Sequence, residues 1–308
     1  MNVCSRIISE VKQAVVGKDR VLAWVLTAIL ARGHILLEDI PGVGKTTIAL
    51  AFARAMGLQY GRVQFTPDVL PSDITGYSVY LKETGEMRYQ PGAVLCNLFL
   101  ADELNRATSR TQSALLEAME ERQISVDGDT YPLGEDFIVM ATQNPLESYG
   151  TFPLPEAQVD RFFMTLSLGY MTRLQEMQVL TRQATTDIIA EIQPVVTREE
   201  THYVKTHFRE VEVGTDVRNY LMDLVEKTRK ESQFISGVST RGALALYKAC
   251  QVNAAFAGRD YVLPEDIRDV ARPVLGHRIF SGGGARAQEA ELLLDRMIGE
   301  IPVPLEKK

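Results

Sequence analysis

The sequence is short of the residues that build covalent or metal-held scaffolds. Its 308 residues include only three cysteines, Cys4, Cys96 and Cys250, widely separated and odd in number. That excludes a disulfide framework and points to a reducing compartment. The four histidines, His34, His202, His207 and His277, have no ligand spacing near them, so a histidine-built metal centre is not expected. Long apolar runs are also missing. The longest, Val21 to Ala31, stops at Arg32 and is too short to cross a bilayer, so direct membrane insertion is not expected. Arg6, Glu10 and Lys12 argue against a secretory signal, and the expected location is the cytoplasm. Positive charge is scarce too. A net charge of −7 without any basic run disfavours a nucleic-acid partner. There is no internal repeat and no low-complexity tract. What remains is a globular chain long enough for one large domain or two ordinary ones.

One stretch carries most of the chemical information: Ile35-Leu36-Leu37-Glu38-Asp39-Ile40-Pro41-Gly42-Val43-Gly44-Lys45-Thr46-Thr47. An apolar strand runs into a Pro/Gly-rich turn and then into a helical run from Thr47 to Met56. Strand, loop and helix in that order make a phosphate cradle. Glycines let backbone N–H groups approach the phosphates, and the helix N-terminus adds favourable partial charge. Pro41, Gly42, Val43, Gly44 and Thr47 form the cradle. Lys45 can reach the β and γ phosphates, and the Thr46 hydroxyl can ligate Mg²⁺. The strict pattern requires a glycine at position 39. Asp39 stands there, so the match is partial.

Around this stretch the chain alternates strands and helices. Residues 3–14 form an amphipathic helix, Val15 to Lys18 break it, and a second helix covers Asp19 to Arg32. Val16 and Gly17, ahead of the phosphate loop, are candidates for one wall of an adenine pocket; a plain helix–helix connection is the alternative. Arg62 to Phe65 read as a strand. Ser78 to Val94, with turn chemistry at Glu83 to Glu86, read as an inserted β-hairpin. Asn97 to Glu103 is a buried strand ending in two acids, which places them at the ligand crevice of an α/β sheet. Asp102 can hold Mg²⁺ through water and Glu103 can polarise the attacking water. A helix over Thr108 to Arg122 and a hairpin over Gln123 to Pro132, centred on Asp127-Gly128, come next. Phe137 to Thr142 is another buried strand, followed by Asn144, which can hydrogen-bond the γ-phosphate and the attacking water. Asp160-Arg161-Phe162 precedes a last strand, Phe163 to Leu168. Beyond Thr172 the chain is helical, with a joint between Thr185 and Glu200. Helices are expected over 200–208, 215–231, 240–257, 264–274 and 287–298. Gly282-Gly283-Gly284 reads as a loop and not as a phosphate site.

These pieces, in this order, resemble an AAA+ ATPase. The likeness sharpens at Gln64 to Gly76, at Asp102-Glu103-Leu104-Asn105-Arg106-Ala107 and at Thr151 to Gln158, where the chain is similar to the MoxR family. The resemblance implies an α/β fold: a three-layer αβα P-loop domain with a parallel sheet over residues 1–188, then an all-α lid over 189–308. It implies ATP and Mg²⁺ as cofactors and a homo-oligomer, usually a ring of six. In that frame Lys45 and Thr46 belong to Walker A, and Asp102 and Glu103 to Walker B. Asn144 is the first sensor, Arg161 the arginine finger reaching a neighbour's ATP, and Arg241 the second sensor on the lid above the nucleotide. The implied activity is ATP hydrolysis coupled to chaperone-like remodelling of a client protein or metal-cofactor complex, with a von Willebrand factor A partner. A nucleotide-gated assembly module with negligible turnover and a chelatase-type motor subunit are the alternatives; a DNA-directed motor is disfavoured by the charge. Asp39 departs from the family pattern, and so does Lys18, which stands where a glutamine often sits.

Overall fold

The computed structural model describes residues 3–145, 150–183, 188–281 and 287–304. Two helices open the chain, α1 (Val3–Ala14) and α2 (Asp19–Leu30). In α1 the buried residues Cys4, Ile7 and Val11 recur at three- and four-residue intervals, the period of one helix face. Helix α2 closes two residues before the expected Arg32. Arg32 adopts φ 59°, and the Gly33 N–H turns back to the Ala28 carbonyl at 2.8 Å, a Schellman closure.

The core then runs through β1 (Ile35–Glu38), α3 (Lys45–Ala55), β2 (Tyr60–Gln64), α4 (Pro71–Thr75), β3 (Gly76–Leu81), β4 (Glu86–Pro91) and β5 (Leu98–Asp102). It continues with α5 (Ser109–Glu121), β6 (Gln123–Val126), β7 (Asp129–Pro132), β8 (Ile138–Gln143), α6 (Glu156–Val159) and β9 (Met164–Leu166). Five strands form one sheet in the order β2-β5-β8-β1-β9, every neighbouring pair parallel. Both faces are covered, as a parallel sheet requires. Leu37, Leu98, Leu100, Ile138 and Met140 join the helices α1, α2 and α3 on one side. Leu36, Phe99, Ala101, Val139 and Ala141 join α5 on the other. The two expected hairpins are present as β3–β4 and β6–β7. Helix α4 was not foreseen; it is a single turn opened by Pro71, with the Asp73 carboxylate accepting from the Leu70 N–H at 2.9 Å.

The remainder comprises α7 (Arg173–Gln183), α8 (Ile188–Glu191), α9 (Arg198–His207), α10 (Thr215–Lys230), β10 (Phe234–Ser236), α11 (Thr240–Phe256), α12 (Pro264–Leu275), β11 (Phe280–Ser281) and α13 (Ala287–Glu300). The helical part is therefore as read from sequence, and among the described residues the short helix α8 and the antiparallel ribbon β10–β11 are added to it. The joint expected at Thr185 to Glu200 contains α8 and the start of α9, and α9 begins at a capping box between Thr197 and Glu200. Gly282 to Gly284 lie outside the described residues. One apolar cluster runs from the sheet into the lid, including Leu22, Ile48, Leu246, Val270 and Leu294. Among the described residues no helix is long and apolar enough to cross a membrane.

A buried ion pair ties α9 to the loop entering β8. Lys205 is fully buried, and its Nζ donates to Asp136 Oδ1 at 2.7 Å. Burial works to raise the Asp136 carboxyl, but the hydrogen bond and charge of Lys205 outweigh it and hold the group below its ordinary value. A depressed carboxyl contributes stability above its unfolded value and loses it as pH falls through the folded one. Removing one partner leaves the other buried and unpaired, so Asp136→Ala should destabilise the fold by about 3–5 kcal/mol. Urea denaturation at neutral pH checks this, and the difference from the parent protein should shrink in acid.

Candidate functional site

Strand β1 ends at Glu38, and the chain turns through Pro41 to Gly44 into α3. Gly42 and Gly44 take φ of 84° and 97°, the left-handed region where glycine is favoured. A Cβ at either would meet nothing within 4 Å, so conformation, not space, selects glycine there. Open room beside backbone N–H groups at a helix N-terminus fits a phosphate. Lys45 is buried, and its Nζ donates to the Asp39 carbonyl at 2.7 Å. Among the described residues it forms no salt bridge. Burial pulls the Lys45 amine below its ordinary value, while the charges of Asp39, Asp102 and Glu103 oppose that pull. A buried lysine ringed by acids without an ion-pair partner suits a polyanion that brings its own cation. Thr46 and Thr47 are half-buried in the first turn of α3.

The acids of β5 stand beside it. Asp102 Oδ1 accepts from Thr142 Oγ1 at 2.7 Å, and the same hydroxyl accepts from the Glu103 N–H at 2.9 Å. One β8 side chain thus fixes both acids. Glu103 takes φ 57° and ψ 46°, unusual for a glutamate, and Arg106 Nε lies 3.0 Å from its carboxylate. Asn144 follows β8, its backbone carbonyl receiving Asn105 Nδ2 at 3.5 Å. The phosphate loop, the acid pair and Asn144 all lie where parallel strands end, so the structure brings them to one edge. Asp102 and Thr46 carry oxygens that could hold Mg²⁺.

Sequence reasoning missed Thr142 and Arg62, and it singled out Arg106 only as an arginine near the acidic strand that could face a neighbour. Arg62 on β2 donates from Nη2 to Asp102 Oδ2 at 2.7 Å. Thr142 had a visible signal, a hydroxyl directly after the apolar run Ile138 to Ala141 and two residues before Asn144, and the structure buries it fully.

The two departures from the family pattern meet on one segment. Asp39 has no positive φ, so a side chain is tolerated in place of glycine. Its Oδ2 accepts from the backbone N–H of Leu168, from that of Gly169 at 3.1 Å and from Ser167 Oγ at 3.2 Å. Lys18, also buried, donates to the carbonyls of Leu168, Gly169 at 3.0 Å and Tyr170 at 2.9 Å. These oppositely charged groups grip the chain leaving β9 for α7. Lys18 is therefore a connector clamp. Val16 is buried and Gly17, at φ 70°, lies under Gln175, whose Nε2 donates to its carbonyl at 3.3 Å.

The arginines lie elsewhere. Arg161 donates from Nη1 to the Leu116 carbonyl at 2.9 Å, and its Nε is 3.9 Å from Glu120. Arg241 binds the other oxygen of Glu120 at 2.7 Å and lies 3.9 Å from Asp160. Phe163 pairs with His34 ahead of β1, so Asp160 and Arg161 belong to the edge where strands begin. Arg241, expected on the lid above the nucleotide, is drawn toward Arg161 by the carboxylates of Glu120 and Asp160. A third arginine, Arg278, is buried and donates to Asp160 Oδ1 at 2.8 Å and to the Phe162 carbonyl at 2.6 Å. Burial lowers its guanidinium to about 10, against the pull of Asp160.

The chain is similar to known proteins. Residues 34–164 match the ATPase family associated with various cellular activities, and residues 226–297 match an AAA lid domain. The chain is 42% identical to an uncharacterized protein, YeaC, of Bacillus subtilis, covering 97% of this chain and 94% of that one. It is 38% identical to chaperone MoxR1 of Mycobacterium tuberculosis, covering 97% and 82% respectively. A crystal structure from Cytophaga hutchinsonii, provisionally described as an ATPase, superposes with a TM-score of 0.90 at 36% identity, covering 98% of this chain and 95% of that one.

If Lys18 serves the connector, Lys18→Met should destabilise the protein by about 1.5–3 kcal/mol, the range for hydrogen bonds to charged groups. Denaturation and nucleotide titration together check this: stability should fall while nucleotide affinity holds.

Proposed function

Because this chain belongs to the MoxR family of AAA+ ATPases, we propose that it hydrolyses ATP in a ring of identical subunits and spends the energy remodelling a client protein. The observation that carries this reading is the cluster at the strand ends: Lys45 in the electrostatic reach of Asp102 and Glu103, with both acids oriented by Thr142.

The roles follow from chemistry. Backbone N–H groups of Gly42 to Thr47 hold phosphate oxygens, and Lys45 adds a positive charge to them. Thr46 and Asp102 would hold Mg²⁺, which would supply Lewis acidity toward the γ-phosphoryl group. Glu103 orients and polarises the attacking water, and Asn144 holds that water against the γ-phosphate. Val16 and Gly17 line the adenine side. Arg161 and Arg241, on the edge opposite the chain's own phosphate loop, are offered to a neighbour's nucleotide. A guanidinium from a neighbour stabilises charge that develops during transfer, so hydrolysis depends on assembly.

The core of residues 1–188 binds nucleotide, and the lid of 189–308 moves against it. The exposed Tyr77, Tyr80 and Met87 of the β3–β4 hairpin are suited to transmitting that motion to a partner. In this reading the partner is a von Willebrand factor A protein, and the client is a protein or metal-cofactor complex. The relative named a chaperone supports that role.

Glu103→Gln should bind ATP and form the assembly while losing turnover. Arg161→Ala should bind ATP normally yet hydrolyse it about 10³–10⁵-fold more slowly, the range for a finger supplied in trans. Mixing Arg161→Ala with Lys45→Ala should restore part of the activity, because one chain then brings the intact phosphate loop and the other the intact arginine. Phosphate release from the mixture measures it, and failure to restore activity would count against the trans arrangement.

A further inference from the structure

Both carboxylate oxygens of Asp102 are engaged within the chain. Oδ1 takes the Thr142 hydroxyl, and Oδ2 takes the Arg62 guanidinium at 2.7 Å. The Thr142 contact also orients Glu103, so it serves the acid pair as a unit. The Arg62 contact does something different: it places a cation on the acid whose part, in the reading above, is to hold a divalent cation. Arg62 is not a chance surface partner. It projects from the same face of β2 as Gln64, which pairs in register with Asp102. The Arg62 guanidinium also donates to Gln64 Oε1 at 3.3 Å. Asp102 is 11% exposed at its side chain and Arg62 44%, so the acid is fixed and the arginine has room to leave. Tyr60 lies two residues earlier on that face. Its buried hydroxyl has no hydrogen-bond partner among the described residues.

We infer that Arg62 is the built-in counter-ion of the metal-holding acid, which Mg²⁺ must displace from Asp102. The inference rests on the nucleotide reading of the site and goes beyond it. Two consequences follow from charge alone. With Arg62 in place, Asp102 is neutralised, so metal-free triphosphate meets Lys45 with less repulsion from the acids around it. Arg62 and Mg²⁺ want the same carboxylate, so the arginine weakens metal uptake. Arg62 therefore narrows the difference in affinity between metal-free and metal-loaded nucleotide.

Equilibrium binding of a fluorescent ATP analogue to the full chain, in EDTA and in excess Mg²⁺, tests this without measuring turnover. In Arg62→Gln the dissociation constant should rise in EDTA and fall in Mg²⁺, increasing their ratio about tenfold, an ordinary size for coupling between two ligands. Arg62→Lys, which keeps the charge, should stay near the parent ratio. Arg62→Met, which keeps the aliphatic stem, replaces Gln if that variant melts below the assay temperature. Titration of Mn²⁺ into the nucleotide-loaded protein, read by electron paramagnetic resonance, should show tighter metal binding in the neutral variant. A folded neutral variant whose ratio is unchanged or lowered would overturn the role of Arg62, because a purely structural contact alters both constants together. Absence of binding by the parent protein in either buffer would instead overturn the nucleotide reading itself.

Discussion

Parallel pairing of β1 with β8 and of β8 with β5 forces three strand ends onto one edge of the sheet. The rest of the molecule depends on that constraint. A parallel sheet must be covered on both faces, so its central strands β1, β5 and β8 are largely apolar and most of their polar residues collect where the strands stop. Here those residues are Glu38 and the phosphate loop, Asp102 with Glu103, and Gln143 with Asn144. Each would be an ordinary turn residue on its own strand. Register makes them neighbours.

Charge is then managed at close quarters. Asp39, Lys45, Asp102, Glu103, Arg62 and Arg106 share a small region, several of them buried. Isolated buried charges are costly, and each of these has a compensating contact. Asp102 has a hydroxyl and a guanidinium, Glu103 has Arg106, and Asp39 has backbone N–H groups from the chain leaving β9. Lys45 is the exception, bonded to a carbonyl and paired with no carboxylate among the described residues. That imbalance is what a polyanion would relieve. Asp39 also joins two functions in one residue: its carbonyl receives Lys45, and its carboxylate holds the connector toward the lid.

A second charged hub lies on the opposite edge. Asp160 receives the buried Arg278 and Ser239, with Arg241 nearby, while Glu120 draws Arg241 and lies close to Arg161. Arg278 is the structural member, fixing the lid to the chain entering β9. Arg161 and Arg241 are half-exposed and turned away from the chain's own phosphate loop. Two opposed edges, one bearing the glycine-rich loop with Lys45 and the acids and the other bearing arginines, suit a head-to-tail interface, which closes into a ring when the rotation permits.

Much of this was legible along the chain. Glycine-rich punctuation, apolar strands capped by acids and the Asp127-Gly128 turn are local signals, and they located the glycine-rich turn after β1, the strand ends that carry Asp102, Glu103 and Asn144, and both hairpins. The helical lid was legible from its periodicity and caps, and the family likeness ordered the pieces. Other features depend on groups far apart in sequence. Thr142 meets Asp102 across 40 residues, Arg62 meets Asp102 across 40, and Lys18 meets Gly169 across 151. Strand register and chain reversal set those meetings, and neither leaves a mark in a short window. The placement of Arg241 was decided in the same way. Its motif identified the residue, but the Glu120 and Asp160 carboxylates chose which edge it occupies. Composition and local pattern thus determined which chemistry the chain carries, because propensity and motif act over a few residues. Tertiary structure alone decided which charges face one another, because burial forces each ion toward whichever partner the packed sheet and lid bring within reach.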